Sequence, residues 1–261
     1  GPHLNLGLRE VRFYELIESL SPEPYPNLPR CRNSFIQEDK SNYYLVLEDL
    51  SASHHSYESV DFRKLEPWET AVTALAKFHQ SFTRRLDDDQ IRALADDRDD
   101  AESYLDKLHQ AFTRFESDHR DVLDSSVLSL MQRSTPLIRV FELDKVDPVH
   151  QNELTTILNR DDHVKNFLYP RSEDEDAVIV DWQFWNIGIG TYDLRHLLGH
   201  ILDYHIGQHQ KSLVGYYFQT LSKNMSLDYS WEECWTDYRK GILDNLFMPV
   251  WQYAGFGWEY G

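Results

Sequence analysis

The stretch from Leu158 to Leu194 reads LNRDDHVKNFLYPRSEDEDAVIVDWQFWNIGIGTYDL. It contains two short apolar runs, Asn166 to Tyr169 and Ala177 to Val180, on either side of a segment rich in turn-forming and acidic residues, Pro170 to Asp176. Two apolar runs that flank such a segment are typical of a β-hairpin. The pattern therefore predicts that the two runs pair as antiparallel strands.

Polar side chains stand beside both runs. Asp161 and Asn166 come at the start of the first run, and Asp181 ends the second. The predicted hairpin would bring these three side chains to one end of the structure. Two carboxylates and a carboxamide suit a base for a hydroxyl group and a site for a hard cation, because Mg²⁺ takes oxygen ligands.

The spacing of these residues resembles that of known kinases. Asp161 and Asn166 are five apart, as in the kinase loop H-R-D-x-x-x-x-N, and Asp181 stands where the metal-binding Asp of D-F-G would be. The flanking residues resemble more closely the H-G-D-x-H-x-x-N and D-W/F-Q…G…DL motifs of aminoglycoside phosphotransferases and choline-kinase-like proteins. The ecdysteroid-kinase-like (CHK) group of small-molecule kinases is the best fit.

The resemblance implies a role for each matching residue. Asp161 would be the catalytic base, His163 the second His of the motif, and Asn166 and Asp181 the Mg²⁺ ligands. ATP would be the phosphoryl donor and the hydroxyl of a small molecule the acceptor. The tail of the second motif would be formed by Gly188, Gly190, Asp193 and Leu194.

Two positions depart from the family pattern. Asn159 and Arg160 stand where the family usually has His and Gly. A Gly permits a positive φ and a close backbone approach, which Arg160 cannot supply freely. Replacing His by Asn would remove an interaction that braces the loop around Asp181. We expect a competent site that these substitutions weaken, and the alternative is a pseudokinase or a nucleotide- or small-molecule-binding protein without efficient catalysis.

Apolar residues at helical spacing predict a helix from Leu8 to Leu20. The resemblance makes it the helix whose Glu pairs with an ATP-positioning Lys, with Glu10 the first candidate and Glu15 the second. A solvated acid on an amphipathic helix explains the pattern equally well.

Two strands are predicted next, from Arg32 to Gln37 and from Tyr43 to Glu48. By resemblance the second strand leads into the kinase hinge, whose backbone near Glu48 to Leu50 would hydrogen-bond adenine. Leu47 and Leu50 would flank the base. A plain buried strand accounts for the same apolar run.

The overall expectation is an α+β protein-kinase-like fold. Residues 1–50 would form a small, truncated β-sheet N-lobe, and residues 51–261 a large helical C-lobe with the catalytic and metal-binding loops. No G-x-G-x-x-G or P-loop occurs, and nothing upstream of Leu4 could supply a Gly-rich loop or the strand that bears the Lys. A molecule this short would transfer phosphoryl groups inefficiently.

The C-lobe is predicted to be helical over six segments. They are Glu66 to Phe82, Ala101 to Phe115, Leu123 to Val140 with a break near Pro136, Tyr192 to Tyr204, Ser212 to Lys223, and Trp231 to Trp251. His196, His200 and His205 lie near helical spacing. We expect them to pack or to face solvent rather than to bind a metal.

Composition limits the function classes. A formal net charge of -18 over 261 residues argues against a nucleic-acid partner. It favours a neutral or cationic small substrate, although a solvated surface explains it as simply. Cys31 and Cys234, far apart in sequence, indicate free thiols in a cytoplasmic protein. No apolar run of about 18 residues predicts a membrane span.

A third hypothesis, after the kinase and the binding protein, is a metal-dependent hydrolase. It would use Asp161, Asp162, His163 and Asp181. Such a site needs a cluster of metal ligands, which this spacing supplies poorly.

Overall fold

The computed structural model describes residues 6–20, 25, 27–39, 42–87, 89–91, 101–144, 154–201, 203–223 and 228–256. The helices in this part of the chain are α1 (Leu6–Leu20), α2 (Glu66–Phe82), α3 (Ala101–His119), α4 (Ser125–Asp144), α5 (Thr191–Gly199), α6 (Tyr204–Gly207), α7 (Gln210–Ser222), α8 (Trp231–Asn245) and α9 (Met248–Phe256). The strands are β1 (Cys31–Ile36), β2 (Tyr43–Leu47), β3 (His54–His55), β4 (Thr155–Leu158), β5 (Phe167–Pro170), β6 (Val178–Ile179) and β7 (Asn186–Ile189). Small antiparallel sheets and a largely helical body make the architecture α+β, as the sequence predicts.

The amino-terminal elements are those that the sequence predicts. Helix α1 buries one apolar face, including Phe13, Tyr14 and Ile17. Strands β1 and β2 pair in an antiparallel hairpin and pack against α1. The predicted helix and both strands are therefore confirmed, whereas the predicted lobe boundary at residue 50 stays a prediction.

Helix α2 lies in the middle of the main hydrophobic core. Pro67 occupies its first turn, where a missing backbone N–H costs nothing because that donor has no partner within the helix. Its buried residues recur at helical spacing, and it packs chiefly against α7 and β4. The helix occupies the predicted residues, Glu66–Phe82.

The predicted hairpin of the central stretch is confirmed. Strands β5 and β6 are antiparallel, with Phe167 opposite Ile179 and Leu168 opposite Val178. Strand β3 pairs with the other edge of β5, and β4 pairs with β7 in a separate two-stranded sheet. The loops that follow β4 and β6 carry the candidate site.

Two predicted helices are wrong in extent. Helix α5 ends at Gly199 instead of continuing to Tyr204, and its last turn closes with bonds that span three residues, from the N–H of His200 to the carbonyl of Leu197 and from that of Ile201 to Leu198. Helix α8 ends at Asn245, whose side chain donates to the carbonyl of Arg195, 2.8 Å away, and α9 begins at Met248. The helix predicted from Trp231 to Trp251 is thus two helices.

The predicted break at Pro136 does not occur. Helix α4 runs through Pro136 without interruption. Proline removes the hydrogen bond to the carbonyl four residues earlier, which belongs to Gln132. Both residues are exposed, so water can satisfy that carbonyl.

Within the described residues, no helix is both long enough and apolar enough to cross a membrane.

Candidate active site

The loop that follows β4 is held by one buried carboxylate. The backbone N–H of Asn159 donates to Oδ2 of Asp193 (2.7 Å), and the N–H of Arg160 donates to Oδ1 (3.1 Å). Arg160 has a φ of +68°, in the left-handed region. A non-glycine residue there costs about 1–2 kcal/mol, which the charged acceptor Asp193 helps to offset.

Asn159 links this loop to the loop that carries Asp181. Its side chain is fully buried; Nδ2 donates to the carbonyl of Asp181 (3.0 Å) and, at 3.3 Å, to that of Val180. Its Oδ1 accepts from the backbone N–H of Asp161 (3.0 Å). The expectation that Asn in place of His removes a brace around Asp181 is therefore wrong, because the amide of Asn159 makes that brace.

Asp161 and Asn166 are in direct contact. Nδ2 of Asn166 donates to the carbonyl of Asp161 (2.9 Å) and lies 3.5 Å from its Oδ2. The carbonyl of Asn166 accepts from the N–H of Val180 (2.9 Å), which places Asn166 beside Asp181. The hairpin thus brings all three predicted residues to one end, while their chemical roles stay predictions.

Asp193 is itself part of a buried polar network. Its Oδ2 lies 3.3 Å from Nε2 of His79, and Nδ1 of His79 lies 2.8 Å from the hydroxyl of Tyr217. All three side chains are almost completely excluded from solvent. Helices α2, α5 and α7 therefore fix together the carboxylate that holds the backbone of Asn159 and Arg160, directly before Asp161.

Imidazole groups surround the Asp161 carboxylate. Nε2 of His163 lies 3.8 Å from Oδ2, and Nε2 of His196 lies 3.8 Å from Oδ1. The ring of His200 makes edge-on contacts with the rings of His163 and His196, and its Nδ1 lies 2.7 Å from the carbonyl of His196. His205 lies on the separate helix α6, beyond the end of α5. His196 is therefore a site residue that the sequence reasoning missed; its i, i+4 relation to His200 was the available signal.

The protonation of these groups follows from burial and charge. Burial raises the pKa of Asp161, the charge of His163 lowers it, and Asp181 raises it again. Burial and the neighbouring His200 lower the pKa of His196 to about 3. His196 is therefore a neutral imidazole at physiological pH.

Helix α1 is attached directly to the segment after Asp181. Oε1 of Glu10 accepts from the backbone N–H of Trp182 (3.1 Å), and the rings of Phe13 and Trp182 stack at 4.1 Å. Burial raises the pKa of Glu10, the hydrogen bond from Trp182 lowers it, and the charge of Asp181 raises it. Glu10 thus faces the Asp181 loop. Whether it serves a nucleotide stays a prediction, as does any role of Glu15.

The predicted hinge residues follow β2. The N–H of Glu48 donates to the carbonyl of Arg30 (2.9 Å), and Oε1 of Glu48 accepts from the N–H of Arg30 (2.8 Å). Leu47 packs against the main core, and the carbonyl of Leu50 accepts from the N–H of His54 (2.8 Å). These bonds fix the course of the chain here, and the adenine contact stays a prediction.

No group of three or more His, Cys, Asp or Glu side chains within the described residues could hold a metal ion. Asp162, one of the residues of the hydrolase hypothesis, is fully buried. A hydrolytic metal centre built from these side chains therefore has no support in the described part of the chain.

Residues 13–227 match the model of the ecdysteroid kinase-like family. The chain belongs to this family. No protein with a curated description matches it. The family assignment agrees with the resemblance that the sequence motifs indicate.

Solved structures with the same fold are small-molecule kinases. The amicoumacin kinase hAmiN has a TM-score of 0.57 and 12% identity, over 100% of this chain and 72% of that one. The ADP-bound aminoglycoside phosphotransferase APH(2'')-Ib has a TM-score of 0.56 and 14% identity, over 97% of this chain and 76% of that one. A choline/ethanolamine kinase family protein from Mesorhizobium loti has a TM-score of 0.53 and 12% identity, over 97% of this chain and 70% of that one. The predicted protein-kinase-like fold is therefore confirmed.

Proposed function

We propose that this ecdysteroid kinase-like protein is an ATP- and Mg²⁺-dependent O-phosphotransferase that acts on the hydroxyl of a small molecule. The observation that carries the proposal is the contact between Asp161 and Asn166 beside Asp181, at the end of the β5–β6 hairpin. Positioning and electrostatics supply most of the catalysis of phosphoryl transfer, so a rigid arrangement of these groups is what the reaction requires.

The side chains fit a magnesium ion. Asn166 directs its Nδ2 at the carbonyl of Asp161, which leaves its Oδ1 as the ligand atom. Together with the carboxylate of Asp181 this gives the oxygen donors that Mg²⁺ prefers. When bound, Mg²⁺ would neutralise charge on the nucleotide phosphates.

Asp161 is the proposed base. It would accept a hydrogen bond from the acceptor hydroxyl and take its proton as the phosphoryl group is transferred. Burial raises the pKa of Asp161, which strengthens it as a base, and His163 moderates this rise. His163 and His196, each 3.8 Å from the carboxylate, would limit its rotation toward or away from the acceptor.

The nucleotide would lie between the hairpin β1–β2 and the helical body. The carbonyl of Leu50 is already engaged by His54, so we assign the adenine contact to the N–H of Leu50. Leu47 and Leu50 would flank the base. Glu10, on α1, would pair with a cation that contacts the phosphates, while its bond to the N–H of Trp182 keeps α1 aligned with the metal loop.

The test is nucleotide binding followed by turnover. Thermal shift should show stabilisation by ATP with Mg²⁺ in the wild type. Asp181→Asn should weaken the affinity for ATP with Mg²⁺ at least tenfold and reduce this stabilisation accordingly. Asn is chosen because it tolerates the φ of +62° at this position, so the backbone is retained. Asp161→Asn should keep ATP binding and lose ADP formation in the presence of hydroxyl acceptors by several orders of magnitude.

Each outcome decides between the hypotheses. Asp174→Asn, an exposed change in the β5–β6 turn, is the control and should behave as wild type. Binding of ATP with no turnover on any tested hydroxyl compound would favour the nucleotide-binding alternative. Absence of binding in the wild type would refute the proposed function, and binding unaffected by Asp181→Asn would refute the metal assignment.

A further inference from the structure

Asp162 is a buried acid that the proposed reaction does not use. Its side chain is fully excluded from solvent, and neither carboxyl oxygen has a partner with normal hydrogen-bond geometry among the residues that the structure describes. The carboxylate of Asp193 and the backbone N–H of Arg160 are near enough to affect its protonation, the first favouring and the second opposing the neutral form. Leaving an ionised carboxylate in such a place is costly, because the lost hydration is not replaced. The unpartnered oxygens therefore favour a neutral carboxyl group.

The groups around Asp162 increase this cost. Asp193 acts on it most strongly and Asp161 also repels an added negative charge. His79, from α2, contacts Asp193, and Tyr217, from α7, lies close enough to both acids for their charges to raise its pKa. Burial and the charge of Asp193 hold the pKa of Asp162 well above its usual range.

Asp193 needs its negative charge for another purpose. Its two oxygens accept the backbone N–H groups of Asn159 and Arg160, and Arg160 is held with a positive φ. These bonds fix the backbone directly before Asp161. A second negative charge beside Asp193 would repel it and pull it away from these donors.

We propose that Asp162 and Asp193 form a carboxyl pair that holds one proton, and that the protonated Asp162 is a positioning residue for the loop that carries Asp161. The proton lets two acidic side chains lie side by side in a solvent-excluded site. It leaves the charge on Asp193, where the N–H groups need it. Loss of the proton would loosen the loop from α5 without any change in Asp161 itself.

The first test is the pH dependence of stability. The folded protein would keep a proton that the unfolded chain releases above about pH 4, so this group stabilises the wild type at low pH and the stabilisation is lost as the pH rises. Asp162→Asn removes this titrating carboxyl group from both the folded and the unfolded chain. The melting temperature of the variant minus that of the wild type should therefore rise by about 3–5 °C per pH unit from pH 4 to 7.

The test depends on how the difference in melting temperature changes with pH. A change in packing at this position, by an amide or an apolar residue, shifts that difference by the same amount at every pH. Asp162→Leu should give the same slope as Asp162→Asn if the amide variant folds poorly. Asp174→Asn, on the surface, should show no slope. A difference that is constant from pH 4 to 7 in both Asp162 variants would overturn the proposal.

The second test measures the loop itself, and it does not depend on phosphotransfer. Amide hydrogen exchange at Asn159 and Arg160 should lose protection by up to about tenfold per pH unit once Asp162 ionises in the wild type. In Asp162→Asn the protection factors should stay constant over the same range. Equal protection in both proteins across pH 5 to 9 would show that Asp162 does not position the loop.

Discussion

Replacing Asn159 tests whether its side chain joins the loop that carries Asp161 to the loop that carries Asp181. In Asn159→Ala the N–H of Asp161 loses its acceptor, and the carbonyl of Asp181 loses its donor. The Asn159 side chain is fully buried, so water cannot take the place of its amide without opening the structure. Each unpaired group costs about 1–3 kcal/mol, which gives about 2–6 kcal/mol for the two.

The measurement is chemical and thermal unfolding. For a domain of this size the loss corresponds to a fall of about 5–15 °C in melting temperature. ATP binding should weaken together with stability, because Asp181 would no longer be tied to Asp161. A melting temperature within 2 °C of the wild type would refute the reasoning, since it would mean that the loops do not depend on this amide.

Asn159→Asp is the matched change. It keeps an acceptor for the N–H of Asp161 and loses the donor to the carbonyl of Asp181, with nearly the same shape. The new carboxylate would face two carbonyls, so its pKa would rise in the folded state. Stability should therefore be close to that of the wild type near pH 4 and should fall as the pH rises. A variant that is equally stable at pH 4 and pH 8 would contradict this.

Three further changes test single contacts. Arg160→Gly should raise the free energy of unfolding by about 0.5–1 kcal/mol in urea titration, because relief of the left-handed strain exceeds the added chain entropy; a decrease would contradict the strain. Glu10→Gln keeps an acceptor for the N–H of Trp182. Because burial raises the pKa of Glu10, the wild type loses stability as the pH rises above about 4.5 and the variant does not. Thermal melts should therefore show the variant gaining stability relative to the wild type over this range. Gly190→Ala places a Cβ 2.1 Å from the hydroxyl of Tyr217 and should cost about 1–3 kcal/mol in the same unfolding assay.

The Asn159 and Arg160 pair shows how far a family pattern carries. The sequence indicates that both residues depart from the motif, and from that alone a weakened loop is the reasonable expectation. In the folded chain Asn159 bonds to both loops, and Asp193, 33 residues beyond Arg160, accepts the two N–H groups that hold the strained turn. Whether a substitution breaks a contact depends on partners that are distant in sequence.

The histidines illustrate the same limit. Their helical spacing is visible in the sequence, and neutral packing is the usual reason for it. Only the position of α5 against the loop that carries Asp161 brings Nε2 of His196 to 3.8 Å from the Asp161 carboxylate. Likewise, the sequence makes Asp162 a candidate metal ligand, although in the folded chain its side chain is fully buried.

The sequence by itself determined the order and type of most elements, the hairpin and the residues that converge at its end. These follow from periodicity and turn chemistry, which are local properties of the chain. Which buried groups meet depends on the tertiary structure. Burial and charge arise from elements far apart in sequence, and no local pattern records how α2, α5 and α7 close around Asp193.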